Sequence, residues 1–456
     1  MIIETVNPST GQVIKRYSLH EDHYVMTLIE EGHQCFQSWR VTTFAHRAEK
    51  MITMAKLLRV KKLALAELMA CEMGKPVKAG MAEIEKCALV CEHYAVHAEA
   101  YLAPREIIVE QGKRFIHHLP MGVVFAIMPW NFPFWQVFRF AAPTIMSGNV
   151  VLLKHAPIST GTGEAIAEIF IDSGFPHALF QQLIINEETA ARVIAHPRVV
   201  AVTLTGSERA GRAVASCAGS HLKKCVLELG GNDPYIVLVD ADLTLAAQMI
   251  VASRLNNTGQ VCIAAKRIIV VREVEYALIQ RIQALLPQYQ MGDPLEPQVS
   301  LGPMARLDLR ATVHQQVLDT VQEGATLLQG GVIPDGPGFF YPPTILTGVR
   351  PGMRAFDEEV FGPVFTFVTA KDERDAIMLA NQSQYGLAAA IFTQDLTKGE
   401  RIALLEIETG TCYLNQMVVS DPRVPFGGIK SSGFGRELSR EGILEFVNTK
   451  TLGCEA

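Results

Sequence analysis

Long unbroken apolar runs are missing from this 456-residue chain. Its most apolar stretch, MGVVFAIMPWNFPFWQVFRFAAPTIMSGNVVLL, is interrupted by Pro129, Asn131, Pro133, Gln136 and Arg139. A membrane span needs about 20 nearly uninterrupted apolar residues, so the stretch reads as strand, loop, helix and strand. Excess charge of one sign is also missing. The net charge of −6 favours solubility and gives no reason to expect nucleic acid or a membrane surface as partner. No basic-then-apolar leader opens MIIETVNPSTGQVIKRYS. The nine cysteines therefore read as free thiols of a reducing cytoplasm rather than a disulfide framework. Charged residues are scarce at 19%, but the 49% hydrophobic content is that of a globular protein. A single core stops growing near about 250–300 residues, so two or three domains are expected.

What is present is alternation. Strand-like VVFAIM, NVVLLK, VVAVTLT, KKCVLEL, PYIVLV and RIIVVREV are interleaved with helix-like WQVFRFAAPTIMSG, TGEAIAEIFIDSG, GSERAGRAVASCAG and LTLAAQMIVASRL. Repeated βα units of this kind predict an α/β fold with parallel sheets covered by helices on both faces. One segment departs from the pattern. YLAPREIIVEQGKRFIHHLP, residues 101–120, alternates apolar and polar residues around Gln111-Gly112, as a half-exposed β-hairpin would. Such an edge invites pairing with another subunit.

Several residues could carry chemistry. In VTLTGSERAG, Gly206 sits between a strand and a helix, where free N–H groups and the helix dipole suit a pyrophosphate. Ser207 can add a hydroxyl. The motif is not G-x-G-x-x-G, and an ordinary glycine turn explains it equally. Glu228 in LELGGNDP lies between leucines, where desolvation can raise a carboxyl toward neutrality and make it a general base; a salt-bridged glutamate is the alternative. Asn131, in a loop stiffened by two prolines, can act as an oxyanion donor or bond its own turn. Arg139 in an apolar helix should face a cavity or a partner, unless it reaches solvent. Cys87, Cys91, His93 and His97 lack a fourth well-directed ligand, and core cysteines with surface histidines explain them better than a metal. Cys262 in GQVC is either a reactive thiol or a small core residue.

The order of the motifs is more telling than any one of them. PWNFP, VLLK, TGS, ELGG, GQVC, EEVFGPV and PFGGIKSSGFGRE follow one another over nearly the whole chain. In this the chain resembles the NAD(P)-dependent aldehyde dehydrogenase superfamily. The resemblance implies two doubly wound, Rossmann-like domains and a hairpin oligomerisation element. The cofactor domain would span 1–100 and 121–229, and the catalytic domain 230–427. Segments 101–120 and 428–456 would form the oligomerisation element and tail of a homodimer or homotetramer. It further implies Cys262 as nucleophile, Glu228 as base and Asn131 as oxyanion donor. Pro129, Trp130, Lys154, His155, Pro157, Thr205, Gly206, Ser207, Gly211, Leu229, Gly230, Glu359 and Phe361 would surround the NAD or NADP cofactor. No metal is implied.

Departures from the family pattern narrow the expectation. Pro157 in KHAP replaces a glutamate that bonds the adenosine ribose in many NAD-preferring relatives. Nothing there repels a 2′-phosphate, and Lys154 with His155 adds positive character, so both NADP and NAD are expected to be used. Asn448 in FVNTKT replaces a relay glutamate, and Ala264 excludes a redox disulfide with Cys262 at that position. Arg139 is shared with succinate-semialdehyde dehydrogenases, whose bacterial compact members the chain is most similar to. A cation there can pair with the distal carboxylate of an ω-carboxyl aldehyde, and Ser420 can add a hydroxyl. A second arginine common in those relatives is Asn256 here. The resemblance thus implies oxidation of succinate semialdehyde to succinate, a semialdehyde that 4-aminobutyrate breakdown would supply. Glutarate semialdehyde or a broader aldehyde range is the alternative. A CoA-acylating enzyme is disfavoured by Glu228, and an inactive scaffold by the joint presence of Cys262, Asn131 and Glu228.

Overall fold

A computed structural model of the chain describes residues 2–110 and 112–455. Two parallel-rich sheets with flanking helices organise it. The first runs, in spatial order, Phe180–Gln182, Val150–His155, Val123–Met128, Val199–Thr205, Lys224–Glu228 and Gly433–Phe434. All its pairs are parallel except the last. Strand order reverses between Val123–Met128 and Val199–Thr205. Their carboxyl ends therefore splay around a crevice, the usual ligand position of an open α/β sheet. Loop 129–134 and the turn at 206–207 lie at that reversal.

The second sheet runs Thr326–Gln329, Thr344–Thr347, Val364–Ala370, Arg267–Val271, Pro234–Val237, Ala388–Phe392 and Thr411–Leu414. Only its first pair is antiparallel. Strand periodicity splits its side chains between two cores. Ile236 and Ile269 enter one; Tyr235, Val237, Ile268 and Val270 enter the other. Burial on both faces explains why these strands read as continuous apolar runs.

The elements read from the sequence are present with small changes at their ends. The strand in RIIVVREV stops at Val271, and Arg272 begins a helix that continues to Leu285. Tyr101 closes the long helix Val77–Tyr101 rather than opening the hairpin. Strands Arg105–Ile107 and Lys113–Pro120 do pair antiparallel; Gln111, at the expected turn, lies outside the described residues. The free edge of Lys113–Pro120 is covered from within the chain. Val447–Cys454 pairs with all eight of its residues. The tail also contributes Gly433–Phe434 to the first sheet, and Leu438, Ile443 and Phe446 to its core. Residues 433–454 are thus part of the first folding unit as well as of the hairpin sheet, while Ile429–Lys430 pairs with Tyr385–Gly386. Among the described residues no helix is long and apolar enough to cross a membrane.

Candidate active site

Cys262 sits between two cavities that meet at its side chain. It follows a tight turn in which Asn257 and Thr258 adopt left-handed φ values of 49° and 55°. A β-branched residue rarely tolerates that region. Thr258 is held there by donating its hydroxyl to the Gly302 carbonyl at 3.0 Å. The next residue, Gly259, has φ 75°, and a Cβ on it would lie 2.3 Å from the Gly362 oxygen. The turn is thereby locked against the loop that carries Phe361.

One cavity, of about 730 Å³, extends from Cys262 along the carboxyl ends of the first sheet. Pro129, Trp130, Asn131, Thr205, Gly206, Ser207, Leu229, Gly230, Glu359 and Phe361 line it, together with Gln136 and Leu309. Ser207 caps the helix Glu208–Ser220, its Oγ accepting the Ala210 N–H at 3.3 Å. The helix dipole opens into the cavity there. Gly230 and Gly211 are glycine for steric reasons. A Cβ on Gly230 would lie 2.5 Å from Glu359, and one on Gly211 would lie 2.6 Å from Leu229. Trp130 and Phe361 meet edge to face at 5.9 Å.

Gly211, Lys154, His155 and Pro157 do not line this cavity. Gly211 acts from beneath, through Leu229. Lys154 and His155 end the strand Val150–His155 and are buried, and Pro157 starts the next turn, exposed. The expectation that His155 adds positive charge is corrected. Its Nδ1 accepts the Ala156 N–H at 2.8 Å, so its Nε2 carries the proton and donates to the Pro133 carbonyl at 2.9 Å. Burial, opposed by that carbonyl, depresses its pKa to about 4, and the ring is neutral. Of this pair, Lys154 and not His155 can bring a cation to the region.

Asn131 is fixed from all sides. Its Nδ2 donates to the Gln260 carbonyl at 3.1 Å and its Oδ1 accepts from Gln136 at 3.4 Å. Its main-chain oxygen accepts from Lys75 and from Asn257, both at 2.8 Å. Lys75 is ion-paired with Glu83 in the interior. Glu83 in turn accepts the N–H groups of Phe134 and Trp135 at 2.9 Å each. The sequence reading missed Lys75, Glu83 and Asn257, because they are distant in sequence from PWNFP and no local signal marks them as its partners. It also missed Lys266, which donates to the Cys262 carbonyl and pairs with Glu359 at 3.1 Å.

The second cavity, of about 570 Å³, lies on the other side of Cys262. Its wall is mostly apolar, with Phe132, Trp135, Val261, Met417 and Phe426, and polar only at Lys86, Gln136, Arg139, Ser253, Asn256 and Ser420. Arg139 meets both alternatives left open for it. It lines the cavity, and it is ion-paired with buried Glu437. It also donates to Gln136 Oε1 at 2.9 Å, which ties it to Asn131 through one side chain.

Burial pushes the Cys262 thiol up to about 11, against the opposing charges of Lys266 and Arg139. Glu228 is fully buried, and neither carboxyl oxygen has a hydrogen-bond partner. Burial, then the Glu437 charge, raises its pKa well above the carboxylate range. Its carboxyl rests beside Gly427, where a Cβ would lie 2.8 Å from Oε1, and it lines neither cavity. Asn448 stands opposite Leu119 in the hairpin sheet and is exposed. Cys87 and Cys91 are core residues, while His93 and His97 stack near Tyr101.

A model of the aldehyde dehydrogenase family matches residues 1–452. A probable succinate-semialdehyde dehydrogenase [NADP(+)] of Synechocystis is 46% identical, covering 99% of both chains. A succinate semialdehyde dehydrogenase [NAD(P)+] of Escherichia coli is 45% identical over 98% of this chain and 97% of its own. The crystal structure of succinic semialdehyde dehydrogenase from Streptococcus pyogenes with NADP+ as cofactor superposes with a TM-score of 0.97 at 34% identity, covering 100% of each chain. With its motifs in order, its two sheets and a cysteine between two cavities, the chain belongs to the aldehyde dehydrogenase family.

Proposed function

We propose that this protein oxidises succinate semialdehyde to succinate with NADP or NAD, using Cys262 as nucleophile and water as acyl acceptor. The observation that carries the reading is the pair of cavities meeting at Cys262. One is long, glycine-walled and open to a helix N-terminus, which fits a dinucleotide; the other is apolar with cations at its wall, which fits a short carboxylated aldehyde. The two sheets support a cofactor domain of 1–100 and 121–229 and a catalytic domain of 230–427.

Thr205, Gly206, Ser207 and Gly230 would hold the cofactor, with Gly211 supporting the wall beneath through Leu229, Lys154 toward the adenosine ribose, and Glu359 and Phe361 toward the nicotinamide end. When bound, the nicotinamide supplies the hydride acceptor. Cys262 must lose its proton to attack, because thiolate is the nucleophile. The Asn131 amide and the Cys262 N–H stabilise the oxyanion that forms. After oxidation a thioester remains on Cys262. Glu228 takes a proton from the attacking water, and the acyl group leaves as carboxylate. Because Glu228 rests beside Gly427, it has to turn toward Cys262 for this step.

Arg139 and Ser420 provide positive potential and a hydroxyl for the distal carboxylate. Pro157 leaves no acid to repel a 2′-phosphate. Nine free cysteines support a cytoplasmic location, and the open edge of Val447–Cys454 supports assembly as a homodimer or homotetramer.

The test is direct. Purified protein is mixed with succinate semialdehyde and NADP or NAD, without CoA, and reduced nicotinamide is followed by absorbance. Turnover is expected with both cofactors. Silence with both overturns the reading. Introducing Pro157→Glu should lower kcat/KM for NADP about tenfold or more while sparing NAD, as a carboxylate facing a phosphate is strongly disfavoured.

A further inference from the structure

The cavity that would receive the aldehyde has two cations on its wall, and only Arg139 has a carboxylate partner. The other is Lys86, presented by the helix Val77–Tyr101. It forms no ion pair among the described residues. Its Nζ donates to Ser420 Oγ at 2.7 Å and lies 4.1 Å from the centroid of the Trp135 ring. The acids nearest to it are already engaged: Glu83 with Lys75, and Asp421 with Arg423. An ammonium has three N–H donors, and a hydroxyl accepts only one of them here. The ring face and the Ser420 contact hold the half-buried side chain against the cavity wall.

We propose that Lys86 is the specificity-determining cation that receives the distal carboxylate of the aldehyde, with the Ser420 hydroxyl as second donor. This rests on the reading of the cavity as a semialdehyde site. Two cations and one protein carboxylate leave one positive charge in an apolar wall, and the substrate carboxylate balances it. An aliphatic aldehyde of equal length leaves that ammonium unpaired. A site built to bond a polar group discriminates strongly against the analogue that lacks it.

Burial, followed by the charge of Arg139, brings the Lys86 ammonium down to about 8. The groups facing it are Glu83 and Cys87 on its own helix, Arg139 on the helix Trp135–Met146, and Asp421 in the loop after Ser420. The cation is thus present below about pH 8 and lost above it. Recognition of the carboxylate should fade in that direction.

The experiment compares KM for succinate semialdehyde with KM for butanal. Lys86→Met is expected to raise the ratio of the two about tenfold or more, the size of a lost charge-assisted bond. Lys86→Arg should recover most of the wild-type ratio and, staying charged, should flatten its rise above pH 8. Ser420→Ala, a smaller change in a buried position, should raise the ratio in the same direction, so a poorly folding Lys86→Met does not end the test. An unchanged ratio in Lys86→Met and Ser420→Ala, with wild type active on both aldehydes, overturns the role of Lys86. A wild-type enzyme that oxidises butanal and ignores succinate semialdehyde overturns the substrate reading instead.

Discussion

The guanidinium of Arg139 is ion-paired with the carboxylate of Glu437 inside the protein, and neither side chain is more than 4% exposed. Glu437 therefore competes with any substrate carboxylate for Arg139. Replacing it, as Glu437→Gln, should leave a buried cation without its partner, at a cost of about 3–5 kcal/mol. The melting temperature is expected to fall. Added succinate should then restore part of it, because an anion that binds only the folded state stabilises that state. A succinate-induced shift no larger than in wild type would show that Arg139 does not face the anion.

Arg139 also reaches Asn131 through Gln136. Its removal should harm every aldehyde, not only carboxylated ones. For Arg139→Ala, kcat/KM for butanal is expected to drop about tenfold, in line with a lost hydrogen bond to a charged group, and that for succinate semialdehyde further. Full butanal activity would disconnect Arg139 from the oxyanion amide.

Glu228 is buried with both oxygens unpartnered, and burial followed by the Glu437 charge raises its pKa above the usual carboxylate range. In the proposed reaction only thioester hydrolysis requires it as a base. Glu228→Gln should keep a burst of reduced nicotinamide near one per active site, then turn over about 10²–10⁴-fold more slowly. Rapid-mixing absorbance measures both phases. A missing burst would place Glu228 in the attack step.

How much of this was legible beforehand follows the range of each interaction. Alternating βα runs depend on local periodicity, and the helix Leu243–Leu255 was read to the residue. The residues around the larger cavity came from the resemblance in motif order rather than from local signals, because the turn Thr205–Ser207 taken alone is equally an ordinary glycine turn. Partners distant in sequence were not readable. Glu437 lies in PFGGIKSSGFGRE, nearly 300 residues from Arg139, and nothing local marks it as an ion-pair partner. Lys75, in the turn before the helix Val77–Tyr101, and Glu83 and Lys86 on that helix carry no local mark of function. Lys75 and Glu83 are tied to the loop 131–135 and Lys86 to Trp135 and Ser420, contacts that the helix alone does not reveal. His155 was misread for the same reason: a histidine beside a lysine suggests charge, and burial against the Pro133 carbonyl removes it.

Cys262 offers a pH test. With its thiol at about 11 through burial, the unliganded enzyme holds little thiolate near neutrality. Its alkylation by iodoacetamide, followed at that peptide by mass spectrometry, should rise about tenfold per pH unit between pH 8 and 10, as the thiolate fraction does. A rate that is flat from pH 6 to 8 would mean the thiolate is already formed at rest.

His155 gives the clearest link between the site and stability. Its pKa is about 4 when folded against 6.5 for a free imidazole. Between those values the unfolded chain binds a proton that the folded one does not. Stability is therefore whole above pH 6.5 and falls as pH drops toward 4, by up to about 1.4 kcal/mol per unit. The protonated ring could no longer accept the Ala156 N–H, so the loop at 129–134, anchored through Pro133, would loosen with it. His155→Asn removes the titration. Thermal melts at pH 7 and pH 5 should show a smaller drop for the variant than for wild type, although the variant starts lower. Equal drops would mean that His155 is protonated in the folded enzyme and that the cation expected beside Lys154 is present after all.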